Sequence, residues 1–320
     1  MDAFRCLVAY DGTAFRGWQV QPGHRTVQGV LAEELSRVLR QPVSLCGASR
    51  TDAGVHALGQ VVSFTAESRL SLESLQRAWN AGLPPDVVVY YLGRAPAGFD
   101  ACRQALRKRY GYLVCDSGIP NPFLRHYHWQ WPRGRLDVEA MSLAARYLLG
   151  QHDFASFQNM GSVRTSSVRT LFDLRVSRVG EITSGSASIE GQGRGAGSFD
   201  LAHLFNCCAV PWLSSSRLMF LQVLRTWQDG TIVIEVEGDG FLYHMVRTIV
   251  GTLVEVGRGA KPPEWVAEVL SARDRRTAGP TAPPQGLYLL RVDYPADSLG
   301  ETDFYSGGAA GPEVKELPES

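Results

Sequence analysis

Apolar runs with strand character arrive in pairs along this chain, and that pairing limits the folds open to it. Phe4–Tyr10 reads as a strand closed by the turn dipeptide Asp11-Gly12. Val43–Cys46 and Gln60–Phe64 are separated only by a polar loop, and Val87–Leu92 follows one helix-like stretch. Further on come Lys108–Val114, an aromatic run His126–Trp131, Arg169–Val176, Thr231–Val236 and a last strand, Gly286–Val292. A parallel sheet needs a crossover, usually a helix, between each pair of strands. The helical patterns here are too few for that. Thr26 is placed to cap a helix to Arg40, with Val27, Val30, Leu31, Leu35, Val38 and Leu39 on one face. Ser71 would cap one carrying Leu72, Leu75 and Trp79, and Asp137 one carrying Met141, Ala144, Ala145 and Leu148, ended by Gly150. Phe241–Val256, read as amphipathic, and Pro263–Leu270 complete the set. The expected class is α+β: two related strand-helix-strand-strand halves, residues 1–104 and 105–296, with mostly antiparallel sheet.

Two segments stand outside this pattern. Residues 181–227 pass from Gly/Ser-rich to apolar sequence and are too long for an ordinary connection, which marks them as an insert. The tail, 297–320, is rich in Gly, Pro and Glu and is expected to be disordered. The six cysteines show no metal-ligand spacing, and buried free thiols in a reducing compartment account for them better than disulfides. The first residues lead directly into a strand without the features of a leader, and no apolar run is long enough for a bilayer. A cytoplasmic protein is expected, with no membrane partner and no metal.

The most unusual chemistry is in Ser49-Arg50-Thr51-Asp52-Ala53-Gly54-Val55-His56-Ala57. A carboxylate sits two residues from a guanidinium and next to a hydroxyl. Asp-Ala-Gly favours a tight turn, because Asp can bond the backbone two residues on and Gly tolerates positive φ. A loop between strands is where a scaffold presents reactive groups, although a plain hairpin turn would use the same residues.

This stretch resembles the signature loop of the tRNA pseudouridine synthase A family, with Ser49 standing where that family usually has Gly. The resemblance runs from Tyr10-Asp11-Gly12 and Gly17-Trp18-Gln19 through Arg109-Tyr110-Gly111-Tyr112 and Phe241–Gly251 to Gly286-Leu287-Tyr288-Leu289, leaving out the insert and the tail. It implies the pseudouridine synthase fold with a central active-site cleft. It further implies isomerisation of uridine to pseudouridine at positions 38, 39 and/or 40 in the tRNA anticodon stem-loop, without a cofactor, by a homodimer that grips tRNA across both subunits.

The chemistry of that reaction suits these residues. Moving uracil from a nitrogen to a carbon glycosidic bond needs a group that attacks the anomeric carbon or removes a sugar proton to give a glycal, and Asp52 serves for either. A buried carboxylate needs a counter-charge, and Arg247, on an otherwise apolar segment, is the candidate, its other reading being a surface arginine at a helix start. Tyr110 offers a face for the extruded base or is a plain core aromatic. Arg50 fills the vacated stack, holds a phosphate, or merely lies on the surface. Leu287 is a substrate contact by resemblance. The formal net charge is zero, so RNA affinity must come from local clusters such as Arg103, Arg107, Lys108 and Arg109, with Arg125, Arg133, Arg135, Arg164 and Arg169 on the same side. Two other functions fit the same chain. One is a catalytically silent tRNA-binding or RNA-chaperone protein on this fold. The other is a hydrolytic nucleosidase, which would need a second carboxylate to activate water.

Overall fold

The computed structural model describes residues 1–159, 166–179 and 230–295. The insert 181–227, the tail 297–320 and Arg164 lie outside the described residues. The first 104 residues supply β1 (Asp2–Tyr10), α1 (Val27–Leu39), β2 (Cys46–Gly47), β3 (His56–Ala66), α2 (Leu72–Gly82) and β4 (Val87–Arg94). Next come β5 (Arg107–Cys115), β6 (Trp129–Gln130), α3 (Val138–Arg146), β7 (Gly150–Asp153), β8 (Val168–Arg178) and β9 (Thr231–Gly238). The described chain closes with α4 (Met245–Gly257), α5 (Trp265–Ala272) and β10 (Leu287–Asp293). All the described strands join one sheet ordered β4-β1-β3-β10-β5-β9-β8-β7, with β2 on β3 and β6 on β5. Pairings are antiparallel except β10 with β3 and β5 with β6. The fold is α+β with a mostly antiparallel sheet, as the paired strands require.

Three helices begin where their caps place them. The side chains of Thr26, Ser71 and Asp137 accept from the backbone N–H of Gly29, Ser74 and Ala140. Each such cap contributes about 1 kcal/mol. The core forms around β1, whose residues Phe4–Tyr10 are all buried, so both faces of this strand are covered. Trp79 of α2 is fully buried, meets Phe64 of β3 edge-on and donates its indole N–H to Leu31 O of α1 at 3.1 Å. Removing such a side chain costs about 3–5 kcal/mol.

The sequence reading departs from the structure at five places. Val43 and Leu45 are buried, yet only Cys46–Gly47 joins the ladder, so their apolarity reflects packing and not strand pairing. The aromatic run 126–131 forms turns on Leu124 O and only Trp129–Gln130 pairs. α3 ends at Arg146, and Gly150 begins the short strand β7, which no pattern announced. α4 starts at Met245, not Phe241, because His244 has φ 61°, and eleven of its thirteen residues are buried. Finally, Cys6 and Cys115 are buried free thiols but Cys102 is an exposed one. Burial pushes the Cys6 thiol far above its usual range.

The arrangement that matters most for function is β10. Last among the described strands, it lies between β3 and β5, pairing Tyr288 with His56 and Leu287 with Tyr112. The start of this strand is thereby set beside the end of the Asp52 loop. Among the described residues no helix is long and apolar enough to cross a membrane.

Candidate active site

Residues 48–55 link β2 to β3 and are held from several directions. Ala48 N–H bonds Val61 O at 2.8 Å. The Gln60 amide brackets Ser49, accepting from its N–H at 3.1 Å and donating to its carbonyl at 2.7 Å. Tyr10 OH meets Thr51 Oγ1 at 2.8 Å, and Trp18 N–H donates to Thr51 O at 3.0 Å. The strap bearing Trp18 approaches this closely because Gly17 has φ +87° and no side chain, and a Cβ there would lie 2.7 Å from Thr51 O. The turn itself is closed by Val55 N–H to Asp52 O at 3.2 Å, with Gly54 at φ +78°. The backbone closes the turn, so the Asp52 side chain is not used as a turn cap.

That side chain meets two residues of the distant second half. Its Oδ2 accepts from Arg247 Nη1 at 3.1 Å and lies 3.3 Å from His244 Nε2. Oδ1 takes no hydrogen bond from the described residues. Arg247 is anchored independently, its Nε donating to Ala282 O at 2.7 Å, while Ala282 N–H returns a bond to Arg247 O at 3.0 Å. Its side chain is only 12% exposed, so it is not a surface arginine. Both partners stand at the start of α4, whose positive dipole end favours an anion. His244 is held below the usual histidine pKa, first by burial and then by Arg247 and Arg275, against the opposing pull of Asp52.

Around this pair lies a cleft of about 490 Å³ lined by Ser49, Arg50, Asp52, Lys108, Tyr110 and Leu287, among others. Asp52 is the one carboxylate among the described lining residues, against the cations Arg50, Lys108 and Arg247. Tyr110 is mostly buried, meets Phe241 edge-on and shares a hydrogen bond with Ser49 Oγ at 2.6 Å. Leu287 is also buried, at the head of β10. Arg50 is exposed at the rim and makes no hydrogen bond or ion pair with the described residues.

The basic cluster of β5 is divided by strand alternation. Lys108 turns to the cleft and donates to Ala48 O at 2.6 Å. Arg107 and Arg109 both pair with Glu237, at 3.1 Å and 2.6 Å. Burial alone would raise the Glu237 pKa, but Arg109 and Arg107 hold it below the usual carboxylate range. Arg103, Arg125, Arg133 and Arg135 are exposed elsewhere, and Arg169 is partly buried.

Of the two histidines flanking motif residues, His56 is structural. It accepts from Gly12 N–H at 3.1 Å, contacts His126 O at 2.9 Å and stacks on Tyr288. His244 alone faces Asp52. Its place three residues before Arg247 could have signalled this, whereas no sequence pattern points to Asn159, whose amide meets His244 Nδ1 at 2.8 Å. Among the described residues no group of three or more His, Cys, Asp or Glu is arranged to hold a metal ion.

A family model described as tRNA pseudouridine synthase matches residues 7–98 and 144–295. Asp52, Arg50, Arg247 and Leu287 fall inside those segments, while Tyr110 and the cluster 107–109 fall between them. The chain is similar to tRNA pseudouridine synthase A of Pseudothermotoga lettingae, at 38% identity over 294 residues, covering 92% of this chain and 100% of the relative. It is 38% identical to that of Myxococcus xanthus over 306 residues, 94% and 97% of the two chains. The Thermoanaerobacter pseudethanolicus protein of the same name is 37% identical over 290 residues, 90% and 98%.

Proposed function

The chain belongs to the tRNA pseudouridine synthase family, and on that premise we propose that Asp52 is the group through which it isomerises uridine at positions 38, 39 and/or 40 of the tRNA anticodon stem-loop. The protein is an isomerase that converts uridine to pseudouridine in tRNA. The N1–C1′ bond breaks, the base turns, and a C5–C1′ bond forms. C5 loses a proton and N1 gains one, so composition is unchanged and nothing else is consumed.

The observation that carries this reading is the asymmetry of the Asp52 carboxylate. Oδ2 is fastened by Arg247, and Oδ1 has no partner among the described residues. A carboxylate so held keeps its aim while one oxygen stays free for C1′, or for a sugar proton in the glycal route. The target base must leave its stack to reach this oxygen. Tyr110 and Leu287 bound the space from β5 and β10, and the unpaired Arg50 at the rim reaches for the vacated stack or a backbone phosphate. Lys108 faces the cleft and meets phosphate there. Arg107 and Arg109 contribute less field, since each shares Glu237. The family resemblance supports a homodimer closing over the tRNA and a cytoplasmic location.

The test uses tRNA transcripts carrying uridine singly at each of the three positions, assayed for pseudouridine by chemical labelling and for released uracil. Pseudouridine without uracil is the expected product. Uracil release would favour hydrolysis, and tRNA binding with neither product would favour the silent binding protein.

A further inference from the structure

A line of polar contacts runs from Arg275, in the 3-10 turn Arg275–Thr277, to the Asp52 carboxylate. Arg275 donates from Nη1 to Gly279 O at 3.0 Å, from Nη2 to Thr281 Oγ1 at 2.9 Å and from Nε to Asn159 Oδ1 at 2.7 Å. A guanidinium can only donate, so the amide oxygen of Asn159 must face it and the amide nitrogen must face away. That nitrogen lies 2.8 Å from His244 Nδ1 and 3.2 Å from Thr281 Oγ1. An amide nitrogen also only donates, so Nδ1 must present a lone pair. In a neutral ring the proton then sits on Nε2, the nitrogen 3.3 Å from Asp52 Oδ2.

We propose that Arg275 and Asn159 are positioning residues that lock His244 in its Nε2–H tautomer, so that a neutral donor beside Arg247 fixes Oδ2 of Asp52 and leaves Oδ1 to react. This rests on Asp52 being the reacting group. Neither Asn159 nor Arg275 bonds Asp52, so both act through the ring. His244 holds φ 61° and stacks against Tyr243 with ring centroids 3.8 Å apart. Left-handed backbone at a non-glycine residue survives only where the surroundings enforce it, and such positions gather at functional sites. The charged groups facing the ring are Asp52, Arg247 and Arg275. Burial and the two arginines outweigh Asp52, so the ring is neutral at neutral pH and orients the carboxylate without cancelling its charge.

The test is carried out on the full chain labelled with ¹⁵N-histidine, with the His244→Gln variant identifying the His244 resonances. At neutral pH the wild type should show Nδ1 unprotonated and Nε2 protonated. Asn159→Asp keeps the size of the side chain but replaces the donor by an acceptor. Nδ1 should then gain a proton and the single-turnover rate fall by about tenfold or more, with the tRNA dissociation constant within about twofold. In a His244→Gln background, Asn159→Asp should cost little further, because the ring through which it acts is gone. An Nδ1 that stays unprotonated in Asn159→Asp, or a rate within about twofold of the parent, overturns the proposal. The spectra decide the tautomer lock even if the wild type forms no pseudouridine, a result that would remove Asp52 on its own.

Discussion

Two aspartate–arginine pairs in this molecule use the same groups to opposite ends. Asp116, just after β5, and Arg178, at the end of β8, form a closed pair. Arg178 donates to both carboxylate oxygens at 2.7 and 2.9 Å, and Leu136 N–H adds a third bond at 2.8 Å. The carboxylate side chain is fully buried and Arg178 is 9% exposed. Burial alone would raise the Asp116 pKa, yet Arg178 and the Leu136 amide hold it below the usual range. Asp52 receives one arginine bond at 3.1 Å, on one oxygen only, and its side chain is 21% exposed. A carboxylate with both oxygens engaged is a structural tie, whereas one with a free oxygen can react. The residue types are identical; the number of donors brought to each differs.

The comparison is broken most severely at Asp52. Asp52→Asn should lower the single-turnover rate by about 10⁴-fold, roughly 5.5 kcal/mol of barrier, while leaving the melting temperature within about 2 °C. Turnover within about tenfold of wild type would mean that the free oxygen is not the reagent.

The closed pair should show the reverse. Arg178→Ala strands a buried charge and should cost about 3–5 kcal/mol of stability, read by denaturant unfolding, with normal turnover from the molecules that remain folded. Acid sharpens this. Because the folded Asp116 pKa is depressed, its contribution is complete above the unfolded value near ~3.9 and disappears as pH falls through the folded value. Arg178→Ala should lose that segment of the stability–pH curve. An unchanged curve would show that the pair does not tie the fold.

Arg247→Lys comes next, with an expected loss of about 10²-fold in rate, roughly 2.7 kcal/mol. A lysine carries the charge but cannot bond Ala282 O and Asp52 together as the planar guanidinium does. Near-normal rates in this variant would reduce Arg247 to a bystander.

The smallest effect belongs to Ser49. Its hydroxyl bonds the Tyr110 phenol at 2.6 Å, and Ser49→Ala should cost about 1 kcal/mol or less, a few-fold in rate. A loss on the scale of Arg247→Lys would mean that the Tyr110 hydroxyl needs this partner for the reaction itself.

Much of the local framework was legible beforehand. The caps at Thr26, Ser71 and Asp137, the strands β1, β5, β8 and β9, and the Asp-Ala-Gly turn all appear where residue chemistry places them. The division of Arg107, Lys108 and Arg109 was also available, since a period of two sends the middle residue to the opposite face.

What the sequence determined by itself was therefore whatever is settled within a turn or a pleat: helix starts, strand character, the class of fold and the loop that carries the carboxylate. Arg247 could be named as the counter-charge beforehand, but only the tertiary structure decided that it meets a single oxygen and that His244, Asn159 and Arg275 stand behind it. Arg247 is 195 residues from Asp52, and Asn159 and Arg275 stand 116 apart. β10 reaches the site only by entering the sheet between β3 and β5. Capping and alternation act between near neighbours and leave a readable pattern. The burial energy that brings distant strands together has no direction and is shared by the whole core, so no short stretch records how many donors each aspartate receives.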